Sequence, residues 1–257
     1  MACVGPAACR CYGHDHFTDA RLTHRGRAIA ALAAAFLAIA APDSEAAQRC
    51  FRKQATVVGT KGKDRLKGSA GRDVIVGRGG NDSISSGPGD DLMCGGGGND
   101  LLRSGHGRDK LDGGNGDDEV HGADDSDLLV KGGKGDDFCD GQRGTADRLV
   151  CGPGDDLLLG GTDVSGGPGS DRIESYGGDV DAGPGNDLIN NELAYSSVIH
   201  AGDGNDVATG GSGADDIFGE DGDDDLSGGA GNDFMDGGPG TDTCDQGPGA
   251  GTILNCP

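Results

Sequence analysis

The sequence predicts a fold built by repetition of a short unit rather than around an ordinary globular core. Three observations carry that prediction. A Gly-x-Asp-x-apolar pattern recurs every nine residues over most of the chain, glycine supplies 54 of 257 residues, and the aromatic share is only 4%. Fixed-period self-similarity is the signature of a fold in which each unit stacks on the next. With no Trp, three Tyr and six Phe, the chain cannot assemble an ordinary globular core. Nine Pro and the lack of a three-residue glycine period exclude a collagen helix. The same composition in random order would read as an acidic disordered chain; the order of the residues is what overrides it.

The frame opens at Gly59. Units run GTKGKDRLK, GSAGRDVIV, GRGGNDSIS, SGPGDDLMC, GGGGNDLLR, SGHGRDKLD, GGNGDDEVH and GADDSDLLV. One inserted residue, Lys131, precedes GGKGDDFCD; a ten-residue unit, GQRGTADRLV, then leads into CGPGDDLLL. The frame stumbles over Gly160–Ser165, Ser175–Asp181 and Asn191–His200, with GGPGSDRIE and AGPGNDLIN between the breaks. It then runs unbroken from AGDGNDVAT to GGPGTDTCD. Sixteen units carry Gly at position 4, Asp at position 6 and an apolar residue at position 8.

Each position has a physical reason. Position 8 supplies Leu66, Ile75, Ile84, Met93, Leu102, Leu111, Val120 and Leu129. A three-residue strand centred there turns one side chain inward and its two neighbours outward, and the outward ones are mixed: Arg65 and Lys67, Ser83 and Ser85, Lys110 and Asp112. Glycine at position 4 suits a turn that must adopt positive φ or bare its carbonyl. A Gly-x-Asp turn therefore offers carboxylate and main-chain oxygens together, the donor set of a hard cation such as Ca²⁺.

These units match G-G-x-G-x-D-x-U-x, and the sequence resembles the haemolysin-type (RTX) calcium-binding repeat family over roughly Gly59–Asp245. The resemblance implies a parallel β-roll, a right-handed β-solenoid in which two nonapeptides make one coil and each unit is a six-residue turn plus a three-residue strand. It also implies several Ca²⁺ ions between turns of successive coils, held by position-6 carboxylates and turn carbonyls. On one edge the expected ligands are Asp64, Asp82, Asp100 and Asp118; on the other they are Asp73, Asp91, Asp109 and Asp127. The C-terminal run adds Asp206, Asp224 and Asp242 opposite Asp215 and Asp233, while Asp137, Asp156, Asp171 and Asp187 keep the motif beside insertions. Asp125 stands where position 4 should be Gly, and the turn before Asp147 carries an extra residue; both departures argue against local sites. Successive coils stack like charges about 4.8 Å apart, roughly 0.9 kcal/mol of repulsion per pair even at bulk-water screening. The single apolar side chain per unit is small compensation, so the metal-free chain is expected to be largely disordered and to fold on binding.

The chain divides into a signal region 1–46, a flank 47–58, the repeats 59–245 and a C-terminal cap 246–257. His24-Arg-Gly-Arg, the apolar run Ala28–Ala41 and the small residues around Ser44-Glu45-Ala46 form the three parts of a secretory signal, with cleavage expected near Ala46/Ala47. This segment is expected to be helical, but fourteen apolar residues fall short of the roughly 20 that span a membrane. The family implies export through a dedicated channel guided by a C-terminal signal, from which this sequence departs. Cysteine usage agrees with export: six Cys follow residue 46. The equal spacings of Cys139/Cys151 and Cys244/Cys256 suggest those pairs and leave Cys50 with Cys94, which would pin a strand at Ala55–Val58 over the first coils. No CxxC supports a zinc site. The net charge of −23 makes nucleic acid and anionic membranes poor partners and cations good ones.

His106, His121 and His200 read as exposed turn residues. There is no HExxH, Gly-x-Ser-x-Gly, Walker A or EF-hand loop, and almost no chain outside the repeats to form a catalytic domain. The functional expectation is a secreted, non-enzymatic calcium-binding protein with a cell-surface or matrix role. The alternatives are an accessory module of an exoenzyme or toxin, and a plain calcium buffer.

Overall fold

The computed structural model describes residues 48–123, 126–142, 147–191 and 196–257; the signal region with its expected helix, and Asp125, lie outside them. Two parallel sheets run the length of the repeats, one of eleven strands and one of twelve. Strands alternate between the sheets in chain order, so each coil contributes one strand to each. This is the all-β parallel solenoid of the sequence reading. Among the described residues no helix is long and apolar enough to cross a membrane.

One inward side chain per strand builds the core. Ile84, Leu102, Val120, Cys139, Leu158, Ile173, Ile189, Ala208 and Leu226 stack along the eleven-stranded sheet. Ile75, Met93, Leu111, Val130, Leu149, Val164, Val180, Ile199, Ile217 and Met235 face them from the other, and all are buried. In the regular runs stacked neighbours are 18 residues apart, as in Ile84↔Leu102 and Ile75↔Met93. The interval is 19 at Leu111↔Val130, 15 at Leu149↔Val164, 16 at Val164↔Val180 and 19 at Val180↔Ile199. Insertions and deletions are thus absorbed in turns or, at Asp140–Gln142, in a strand-end bulge, and the inward residues keep their pairing.

One core assignment is corrected. The even frame points Leu129 inward, whereas Val130 fills that place and Leu129 pairs with Lys110 on the flanking position. The extra residue enters beside Leu128, whose N–H already bonds to the Asp109 carbonyl at 2.9 Å while its side chain stands in solvent. The ladder bond is kept, and the strand begins one residue late.

The flank does more than lead in. Arg49–Cys50 and Lys53–Gln54 form a small antiparallel hairpin, and the first parallel strand is Val57–Val58, two residues later than the expected start. Cys50 packs with Val74, Val76 and Leu92, outward residues of the first coils, in a second apolar cluster. Those outward positions are apolar because the hairpin covers them. The cysteines pair as the spacings suggest, Cys50–Cys94, Cys139–Cys151 and Cys244–Cys256. Where a cap was expected, Thr252–Leu254 adds one further strand, beside Phe234–Asp236.

Candidate metal centre: two columns of carboxylates

The turns of each edge are held by close backbone approach. Gly98, at position 4, has φ +105°, and a Cβ there would stand 2.7 Å from the carbonyl oxygen of Gly80 one coil below. At position 1, a Cβ on Gly113 would meet Asp118 Oδ2 at 2.5 Å and the Gly132 carbonyl oxygen at 2.6 Å. Glycine at position 1 therefore leaves a cradle lined by a carboxylate oxygen of its own turn and a main-chain oxygen of the next coil. Gly210 repeats the arrangement with Asp215 Oδ2 at 2.7 Å and the Gly228 oxygen at 2.9 Å.

The carboxylates themselves stack. On the edge whose turns enter the eleven-stranded sheet, each Asp N–H donates to Oδ1 of the Asp one coil on. The chain runs Asp64, Asp82, Asp100, Asp118, Asp137, Asp156, Asp171, Asp187, Asp206, Asp224, Asp242, with every bond between 2.7 and 3.0 Å. The four aspartates beside insertions stand in this column without a gap. On the opposite edge Asp73, Asp91, Asp109, Asp127 and Asp147 form one run, and Ser197, Asp215 and Asp233 a second. Asp147, which its longer turn argued against, is buried and accepts the Asp127 N–H. Between the runs the turns are short, the position is not Asp, and the amide of Asn191 donates to Ser197 Oγ.

One oxygen of each carboxylate is thus bonded; the other divides them into two kinds. Oδ2 of Asp82, Asp100, Asp118, Asp137, Asp156, Asp171, Asp187, Asp206, Asp224 and Asp242, and of Asp91, Asp109, Asp147 and Asp215, is buried with no hydrogen-bond partner. At the start of each column it is not. Asp64 Oδ2 accepts from the Thr60 N–H and hydroxyl at 2.5 and 2.9 Å, and Asp73 Oδ2 from those of Ser69 at 2.6 and 2.9 Å. Asp127 Oδ2 takes the Ala123 N–H, and Asp233 Oδ2 the Gln246 amide.

Ionisation follows the same division. Burial pushes Asp109, Asp118, Asp156 and Asp206 up to about 7, and Asp100, Asp137, Asp147, Asp171 and Asp187 up to about 6. Asp73 moves the other way, chiefly because the Ser69 N–H bonds its charged form. A buried charged oxygen without a donor is costly. Beside a main-chain oxygen it fits a divalent cation that prefers oxygen ligands. Among the described residues no three His, Cys, Asp or Glu side chains converge on one point, so carbonyls must complete any coordination shell. The histidines stand apart from it. His121 is an outward strand residue between Glu119 and Asp140, and His200 ends a strand against Glu220, stacked on Phe218. Neither is the turn residue its place in the frame suggested.

A parallel solenoid whose turns stack desolvated carboxylates, most of them with one unsatisfied oxygen, is a cation-binding repeat protein. The family model of the RTX calcium-binding nonapeptide repeat (4 copies) matches residues 58–93, 95–129, 194–226, 209–244 and 218–253, and the chain belongs to that family. No curated protein matches the chain. The matches pass over the stretch between 129 and 194, through which the longer column continues in register.

Proposed function

We propose that this chain is an exported calcium-binding β-roll that takes up several Ca²⁺ ions and becomes ordered as it does so. It serves as a structural element at the cell surface or in the matrix rather than as an enzyme. The observation that carries the reading is the set of buried, unpartnered Oδ2 atoms aligned along both edges. The proposed ligands are the seventeen aspartates named from the repeat frame together with Asp147, helped by position-1 carbonyls. Calcium supplies the positive charge that lets neighbouring carboxylates stay ionised at close spacing. The chain's own part is to hold one oxygen of a carboxylate on the preceding coil's N–H and to leave the other facing the cradle.

Three disulfides agree with an oxidising compartment, and the basic, apolar and small-residue segments before Ala47 support export. In this reading residues 59–245 are the roll, 47–58 its leading flank and 246–257 its closing segment. Calorimetric calcium titration of the purified chain, followed in parallel by circular dichroism, tests it. Multiple ions should bind, and β-structure should appear with them and vanish on chelation. A metal-free chain with the full spectrum of the loaded form would refute coupled folding, and absence of heat would refute binding.

A further inference from the structure

The net charge conceals a segregation. Residues 48–78 hold nine Lys and Arg against two Asp, whereas residues 201–257 hold thirteen Asp and Glu and no Lys or Arg. Lys61, Lys63, Arg65 and Lys67 are exposed and make no ion pair among the described residues. Further along, Arg103, Lys131, Arg148 and Arg172 each pair with an acid of the same chain. The register sharpens the contrast. Lys61, Lys63 and Arg65 occupy positions 3, 5 and 7 of the unit at Gly59; Asp221, Asp223 and Asp225 occupy the same positions of the unit at Gly219, and all three are exposed. Both units enter the eleven-stranded sheet, as strands Arg65–Lys67 and Asp225–Ser227. The two patches therefore lie on one side of the roll, nine coils apart. At about 4.8 Å per coil that separation is roughly 43 Å. Between them, on the outer face of the same sheet, Leu188 and Val207 are 39% and 42% exposed, beside each other in register.

We propose that two copies of this chain pack antiparallel through the outer face of the eleven-stranded sheet. The Lys61–Arg65 patch of each copy then meets the Asp221–Asp225 patch of its partner. Patches of opposite sign at the two ends of one face satisfy each other twice when a second copy is turned end for end. The result is a closed two-fold pair, not an open chain. Leu188 and Val207 supply an apolar stretch between the charged ends, where a bare surface would otherwise hold two large apolar side chains in water. Asp221 and Asp225 lie outside the carboxylate column, so their charge is not consumed by ions bound there.

The test uses the calcium-saturated chain in sedimentation velocity and light scattering over a concentration series. The wild type should pass from monomer to dimer and no further, with association weakening as ionic strength rises to about 0.15 M and beyond. K61E/R65E alone and D221K/D225K alone should each weaken dimerisation about tenfold or more. An equimolar mixture of the two should restore it, as should the quadruple variant carrying all four changes. Circular dichroism in calcium shows that each variant is folded, which separates a failed dimer from a failed β-roll. Three results would overturn the proposal: a wild type monomeric throughout the series, dimers indifferent to either charge reversal, or reversals that the mixture does not rescue. Retention of a monomeric wild type on a sulfated polymer through Lys61 and Arg65 would likewise overturn it, and give the basic patch an anionic polymer as its partner.

Discussion

The two edges of the roll are built from the same turn, yet one carries an unbroken column of eleven aspartates and the other two shorter runs. The difference arises between Gly160 and Ser197, where turns into the twelve-stranded sheet are shortened or rebuilt while those into the eleven-stranded sheet keep their motif. Backbone pairing does not need the carboxylates, since strands Asp163–Ser165 and Gly178–Asp181 stay in register without them. What is lost is the desolvated oxygen. At the turn where the second run begins, a neutral contact, Asn191 to Ser197, stands in its place. The comparison separates two roles that coincide elsewhere in the repeat, ladder formation and ion demand.

Acidity should expose the contrast most strongly. Seven of the nine aspartates raised to about 6 or 7 lie on the continuous edge. Their folded values exceed the unfolded reference of about 3.9, so in the metal-free state their contribution is fully present below about pH 4. It is lost as pH rises through 6 to 7. Metal-free protein should therefore be most ordered in mild acid and lose order towards neutrality, while calcium affinity falls as pH drops below about 7. Circular dichroism and calorimetry across that range check both; a metal-free fold that strengthens from pH 4 to 7 would contradict the assignment of burial as the cause.

Single carboxylates should then rank by their second oxygen. Asp118→Asn in mid-column should remove at least one bound calcium and cost about 1–3 kcal/mol in the loaded form. Asp64→Asn, where Thr60 already satisfies Oδ2, should cost under about 1 kcal/mol. Equal losses in calcium stoichiometry and thermal stability would erase the distinction between satisfied and unsatisfied oxygens. The smallest effect is expected at the gap. Asn191→Gly with Ser197→Asp should add one calcium to the total, and an unchanged stoichiometry would mean that turn shape, not the missing carboxylate, sets the break.

Much of this was legible in the sequence because the repeat fixes two things at once, which side chain turns inward and which carboxylate stands at the turn. The disulfide pairs follow from spacing, while the fold class and the columns of the regular runs follow from the resemblance that the nine-residue motif carries. Val130 did not, because a frame of nine cannot say where within a unit an extra residue is accommodated. Asp147 was discounted for the same reason: turn length varies freely when the strand after it is anchored by its neighbour. The hairpin at Arg49–Gln54 left only a faint trace, the apolar Val74, Val76 and Leu92 at outward positions of adjoining coils. Which aspartates are satisfied by Thr60, Ser69 or Gln246 depends on side-chain reach and has no periodic signature, although Ser or Thr just after the opening glycine is a usable hint.

The N–H to carboxylate contact between coils has a consequence for how such a protein can change over time. In a sheet held only by alternation, one added residue turns every later side chain to the wrong face. Here each aspartate finds its predecessor's amide across separations from 15 to 20 residues, so a length change is cancelled before the next strand begins. Mutations that add or delete residues in one loop are local events, and the molecule can drift in length while its interior remains the same.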